Sequence, residues 1–233
     1  MKKLNALSAC ALAVLATTSL SALADSVDVK VIGTITPASC KPTLAGGGVV
    51  DYGSISPDSL SDTAYTVLPV KTVALSIICD APAKVALKPV NGRPNSLAGA
   101  TEGVSGAGYS PVALLGFPLV SAVGLGLDGT SKIGGYALGT ETATTTADGV
   151  AVDAIQKWDA GGSDTWGLRQ KASLIASDYM NTSWAKTGTL VPIAFKTLNA
   201  QISVQAYINK KTELDTSKPI ALDGLTTLEL VYL

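Results

Sequence analysis

The sequence contains no histidine, three cysteines, two methionines and two phenylalanines in 233 residues. Without histidine the chain lacks the usual general base near neutral pH and the commonest metal ligand. A serine–histidine–acid relay is excluded outright. Charge is also sparse: 17 Lys+Arg against 18 Asp+Glu give a formal net charge of -1, and charged residues make up 15% of the chain. Phosphate neutralisation needs clustered Lys and Arg, so nucleic acid is not an expected partner. Hydrophobic residues reach 47%, which with so little charge argues against disorder and leaves ample material for one core. Aromatics are only 5%, a poor supply for the two girdles of an outer-membrane barrel.

What is present begins with an export pattern. Lys2 and Lys3 precede an apolar run of small residues from Ala6 to Leu20, and Ala22-Leu23-Ala24 comes next as an A-x-A site. This order predicts a secretory signal over residues 1–24, with the exported chain starting at Asp25. Cys10 falls inside that signal, because Leu7-Ser8-Ala9-Cys10 has too short an apolar lead for a lipobox. Cys40 and Cys79 remain, 39 positions apart. An even pair sent to an oxidising compartment predicts a disulfide. Closing a loop of that length contributes about 4 kcal/mol in the chain-entropy description.

Period-two alternation dominates the rest. Val27, Val29, Val31, Gly33 and Ile35 alternate with Asp28, Lys30, Ile32 and Thr34. A β-rich run from Thr72 ends at Cys79, and another starts at Lys84 after the turn-like Asp80-Ala81-Pro82. Residues 201–208 alternate cleanly, as does the C-terminus, with Leu228, Leu230 and Tyr232 on one face and Leu225, Val231 and Leu233 on the other. Such short runs, punctuated by Gly, Pro and Asp, predict an antiparallel β-sandwich or barrel. Apolar residues on both faces of the last strand predict burial on both sides. The best helix candidates are residues 150–158, with Val150, Ala154, Ile155 and Trp158 near one face, and part of 168–176. Glycines crowd positions 99–139, which predicts a loop-rich middle with one or two buried strands over 112–127, joined near Phe117-Pro118.

Chemical motifs are few. Gly124-Leu125-Gly126-Leu127-Asp128-Gly129 matches G-x-G-x-x-G, but the next residues, Thr130 to Tyr136, read as a turn and a strand. A hairpin is therefore expected there instead of a dinucleotide site. Asp148, Asp153, Asp159 and Asp164 do not keep the order of a calcium loop, and two of them flank Gly161-Gly162 as turn residues do. No metal and no cofactor is expected. Trp158, Trp166 and Trp184 lie outside the clearest strands. They are candidates either for stacking on a sugar or partner, or for covering the open ends of the sandwich.

Taken in order, several elements resemble the subunits of chaperone–usher pili: an export signal, the arm Val27-x-Val29-x-Val31-x-Gly33-x-Ile35, Cys40 soon after it, Cys79, and an alternating C-terminus with penultimate Tyr232. More narrowly, Thr34-Ile35-Thr36-Pro37-Ala38-Ser39-Cys40, Lys132-Ile133-Gly134-Gly135-Tyr136 and Leu228-Glu229-Leu230-Val231-Tyr232-Leu233 look like the fimbrial-like family catalogued as domain of unknown function 1120. The resemblance implies an all-β, immunoglobulin-like (pilin-type) antiparallel sandwich that lacks its last strand. Residues 25–33 would be a donor arm and residues 34–233 the sandwich, with the Gly-rich and Trp-containing stretches as insertions. A periplasmic chaperone would lend a strand to the groove. The outer-membrane usher would then exchange it for the arm of another fimbrial subunit, giving a head-to-tail polymer on the cell surface. Val27, Val29, Val31, Gly33 and Ile35 would form the inserted face, with Gly33 where the groove is tight. Leu228, Leu230, Tyr232 and Leu233 would form the groove strand, the Leu233 carboxylate docking on basic chaperone residues.

The expectation is therefore a non-enzymatic structural subunit. Its rivals are a glycan- or host-binding tip adhesin that uses the Trp residues, a small outer-membrane β-barrel, and an exported hydrolase.

Overall fold

The computed structural model describes residues 27–34, 38–104, 106–158, 165–168, 171–174 and 180–233. The expected signal, Asp159, Asp164 and Ile35 lie outside the described residues. The chain divides into Met1–Thr36 and a body, Pro37–Leu233. In the first unit, residues 27–34 belong to no helix or strand and expose Val27, Val29 and Val31 at 90%, 87% and 92%.

The body is an all-β, antiparallel sandwich compatible with an immunoglobulin-like fold. Among the described residues it holds no α-helix, only short 3-10 turns. One layer is built from β1 (Cys40–Leu44), β3 (Lys71–Ala83), β14 (Phe195–Ile208) and β9 (Gly134–Ala147), with β2 (Thr66–Val67) at the far end of β14. The other layer contains β10 (Val150–Trp158), β13 (Met180–Lys186), β4 (Val85–Asn91) and β15 (Thr226–Tyr232). Shorter pieces attach to these: β5 (Gly108–Tyr109), β6 (Ser121–Gly124), β11 (Trp166–Leu168) and β12 (Lys171–Ser173). A separate hairpin joins β7 (Leu127–Asp128) to β8 (Ser131–Lys132). That hairpin is the expected outcome for the Gly124–Gly129 motif.

Alternation explains the core. On β3 the inward residues Val73, Leu75, Ile77 and Cys79 are buried while Thr72 and Ala74 are exposed. Leu75, Ile77 and Cys79 share one core with Leu198 and Ile202 of β14 and, across the layers, Val85 and Leu87 of β4. The largest fully buried side chains are aromatic: Trp184, Tyr207 and Phe195. Trp184 stands edge-on to Phe195, 5.9 Å between centroids. The layers are joined by strands that leave one and enter the other. After Ala83 only Lys84 intervenes before β4, so Asp80-Ala81-Pro82 continues β3 and is not a turn.

The helix expected over Val150–Trp158 is instead β10, and this strand changes layers. Val150 and Ala151 pair with Ala147 and Thr146 of β9, whereas Val152–Trp158 pair with Lys186–Met180 of β13. A strand that crosses over is covered on both sides, so Ala154, Ile155 and Gln156 are buried in succession and the period-two signal is lost. The second helix candidate falls partly on β11 and β12; residues 169–170 and 175–176 are outside the described set. Asp148 and Gly149 connect β9 to β10 with φ of 48° and 80°, the left-handed pair that a two-residue hairpin needs. The Asp148 carboxylate pins this turn to β14 by accepting the N–H groups of Lys196 and Thr197, at 3.1 and 2.8 Å.

The glycine-rich middle is loop-rich with short strands, as expected, and it packs as a cover. Residues 93–104 and 106–124 lie over the outer face of β9 and β14, where Leu97, Leu114, Leu115, Val120 and Ala122 form a second apolar cluster with Ala137 and Tyr207. Of the strands expected over 112–127, only β6 and the first strand of the β7–β8 hairpin form. Leu114 and Phe117 exchange both backbone hydrogen bonds in a tight turn just before Pro118. Polar anchors complete the cover. Tyr207 donates to the Ala98 carbonyl (2.6 Å), and the Leu115 N–H to Gln205 (2.6 Å). The Glu102 carboxylate accepts from the N–H groups of Asn95 and Leu97, at 2.7 and 2.8 Å. Gly134 and Gly135 permit the close approach beneath, because a Cβ at Gly134 would collide with the Tyr207 carbonyl.

Candidate functional site

Among the described residues, two of the principal strands of the body, the two ends of its strand order, are paired on one side only. β1 pairs with β3 from Cys40↔Cys79 to Leu44↔Leu75, and β15 pairs with β4 from Thr226↔Asn91 to Tyr232↔Val85. Among the described residues no strand lies against the other side of either. They are the two ends of the strand order β1-β3-β14-β9-β10-β13-β4-β15, and together they flank a seam.

The ladder geometry tells which backbone groups face that seam. In an antiparallel pair, residues that bond to the neighbouring strand alternate with residues whose N–H and C=O point away. The Leu233 N–H bonds the Lys84 carbonyl (3.0 Å) and the Gly92 N–H bonds the Leu225 carbonyl (2.8 Å). The odd-numbered residues therefore pair with β4. Thr226, Leu228, Leu230 and Tyr232 direct their amides and carbonyls into the seam. Pro89 sits opposite Leu228, a position where the missing proline N–H interrupts no ladder bond. On β1 the Asp80 N–H bonds the Ser39 carbonyl (3.0 Å), so Cys40, Pro42 and Leu44 face the seam. Cys40 and Cys79 form the expected disulfide, with Cα atoms 4.0 Å apart, the close spacing of a pair that exchanges no backbone bonds.

Among the described residues, one hydrogen bond joins β1 to β15 across the seam. The Cys40 N–H donates to the Tyr232 hydroxyl at 2.7 Å, joining the start of β1 to the end of β15 through a side chain. Sequence reasoning placed Tyr232 beside Leu228 and Leu230 but missed this bond. The parity of Cys40 and Tyr232 is visible in the sequence, whereas their proximity is not.

Side chains along the seam are half-buried. Leu44, Val50, Tyr52, Ile55 and Leu60 pack against the core from the β1 side, and Leu214, Ile220, Leu222, Leu228 and Leu230 from the other. The expected burial of β15 on both faces is not met: none of its residues is fully buried, and Tyr232 is 51% exposed. Segments 49–60 and 214–222 line an open pocket of about 770 Å³ that reaches Ile133 and Ile208. Tyr52 lines it, donating to the Val204 carbonyl at 3.3 Å, and burial pushes its phenol pKa up.

The remaining sequence candidates separate in space. Trp184 is fully buried between the layers, so it neither offers a stacking face nor covers an open end. Trp158 is 42% exposed, and its neighbour Lys157 pairs with Trp166 across β10 and β11, the Lys157 ammonium 5.7 Å from the Trp166 ring. Asp153 accepts the Gly188 N–H (2.9 Å), a turn anchor like Asp148. Among the described residues no three His, Cys, Asp or Glu side chains gather as a metal site, and no helix is long and apolar enough to cross a membrane. A Cβ on Gly33 would meet nothing within 4 Å, so its surroundings give no reason for a glycine there.

Residues 29–117 match the family described as "Protein of unknown function (DUF1120)". The chain is similar to Protein GltF of Escherichia coli (strain K12), 28% identical over 260 residues that cover 99% of both chains. It is also similar to the Uncharacterized protein YhcF of the same strain, 28% identical over 221 residues, 89% of this chain and 90% of the other. No solved structure matches.

Proposed function

We propose that this protein is a structural subunit of a surface fimbria, assembled by the chaperone–usher route through donor-strand exchange. The observation that carries the reading is the open edge of β15. Its four outward residues present unpaired backbone groups above half-buried Leu228 and Leu230. Such an edge is a template for one more strand, whose N–H and C=O groups complete the ladder while alternate side chains fill the apolar floor. The segment with Val27, Val29, Val31 and Gly33 has the matching alternation and exposes its valines. A glycine without a local reason at position 33 fits a segment whose working environment lies in another subunit.

In this reading a periplasmic chaperone first covers the seam, the outer-membrane usher exchanges it for the arm of an incoming subunit, and the contact is heterologous. Heterologous contacts that do not close give a filament. Deleting residues 25–33 is expected to abolish polymerisation while leaving copurification with the chaperone intact. Truncated subunits that assemble fibres of normal length would refute the assignment.

A further inference from the structure

The two edges of the seam offer unequal pairing. β15 turns four residues toward it, each with a free N–H and C=O by ladder parity. β1 turns three, Cys40, Pro42 and Leu44, and two of their donor positions are closed. Pro42 has no N–H, and the Cys40 N–H is already held by the Tyr232 hydroxyl. A strand laid against β1 would find a single donor, at Leu44, and its carbonyls opposite positions 40 and 42 would go unanswered. Each buried acceptor without a partner costs free energy, so that edge is a poor template.

We propose that an added strand pairs with β15 alone, and that Pro42 and the Tyr232 hydroxyl silence the β1 edge. The inference rests on the strand-accepting reading above, and the occupant is residues 25–36 of a second copy. Tyr232 acts here as a positioning residue. It has the same strand parity as Leu228 and Leu230, and its exposed side chain reaches the start of β1 through the Cys40 N–H. The same arrangement keeps β1 of a lone subunit from recruiting stray strands, as proline does on other sheet edges.

The test is residue-resolved amide exchange on the exported full chain, refolded with an excess of a peptide of residues 25–36. The amides of Thr226, Leu228 and Leu230 are expected to slow by about tenfold or more, with the Leu44 amide unchanged. Equal slowing at Leu44 would overturn the inference while leaving strand addition standing. No slowing on either edge would overturn strand addition itself, and the inference with it. A second arm uses Pro42→Thr combined with Tyr232→Phe, which restores both donors; Pro42→Thr alone serves if the double variant does not fold. The peptide should now slow the amide at each restored position. If those amides stay fast, Pro42 and Tyr232 are not what silences the edge.

Discussion

The outer face of β9 and β14 and the seam between β1 and β15 pose the same physical problem and receive opposite treatment. Each presents apolar side chains on a β surface. Over β9 and β14 the chain supplies residues 93–104 and 106–124, seals Leu97 and Leu114 from water, and answers the buried polar groups through Tyr207, Gln205 and Glu102. At the seam it supplies one phenolic hydroxyl and leaves Leu228 and Leu230 half-exposed. The protein has chain enough to cover a face where it needs to. At the seam, among the described residues, an apolar floor and an unpaired backbone edge coincide.

That contrast can be broken by substitution. The largest effect is expected at Gly134→Val on the covered side, where the new side chain meets the Tyr207 backbone; loss of soluble folded protein on expression is the outcome to check. Leu97→Ala, at a fully buried site, should cost about 2–5 kcal/mol in denaturant unfolding and leave binding of the 25–36 peptide unchanged. Leu230→Ala should reverse the pattern. The free subunit should lose only about 1 kcal/mol, since the side chain is half-exposed, while peptide affinity falls. If both truncations lower stability alike and neither changes peptide binding, the two regions do not differ as described.

A pH series probes the core where β9 meets β15. Burial pushes the Tyr136 phenol up to about 12, against its donor–acceptor contact with Thr226. Tyr207 moves the same way through burial. In the unfolded chain a tyrosine ionises near pH 10. The contribution of Tyr136 is therefore complete below pH 10, declines as pH rises, and is gone above about 12. Roughly 3 kcal/mol should disappear across that window for Tyr136. Tyr136→Phe should flatten part of the decline in chemical melts at pH 9 and 11.5. The smallest effect is expected at the rim. Arg93 and Asp223 form a two-pronged ion pair at 2.7 Å in solvent, and Arg93→Gln should not move the thermal midpoint measurably.

Much of the layer architecture was legible because strands with one wet face betray themselves. The β-rich run ending at Cys79 and the alternating C-terminus both form strands, although the burial expected on both faces of β15 is not met, and the cysteine pair follows from export chemistry. β10 was not legible, because a strand passing between layers is wrapped on both sides and its buried positions run together. Buried Ala154 and Ile155, flanked by the exposed apolar Val150 and Trp158, mimic a helical stripe. The cover over β9 and β14 escaped for a different cause. Leu97, Leu114, Leu115 and Val120 have no common period, and they cohere only through distant partners such as Gln205 and Tyr207. Trp184 shows the limit of composition: lying in a poorly patterned stretch, it gave no sign of its full burial. The seam was half-visible. The alternation of Leu228, Leu230 and Tyr232 could be read, whereas the bond from Cys40 to Tyr232 depends on the chain closing on itself.

The disulfide has a mechanical consequence. Cys40 is the first residue of β1, and its covalent link to Cys79 sits at the very point where tension arriving from residues ahead of it enters the body. Pulled from that end, β1 cannot peel from β3 one bond at a time, since the load passes straight into a thirteen-residue strand at the centre of its layer. Reduction would turn that shear-loaded joint into a zipper.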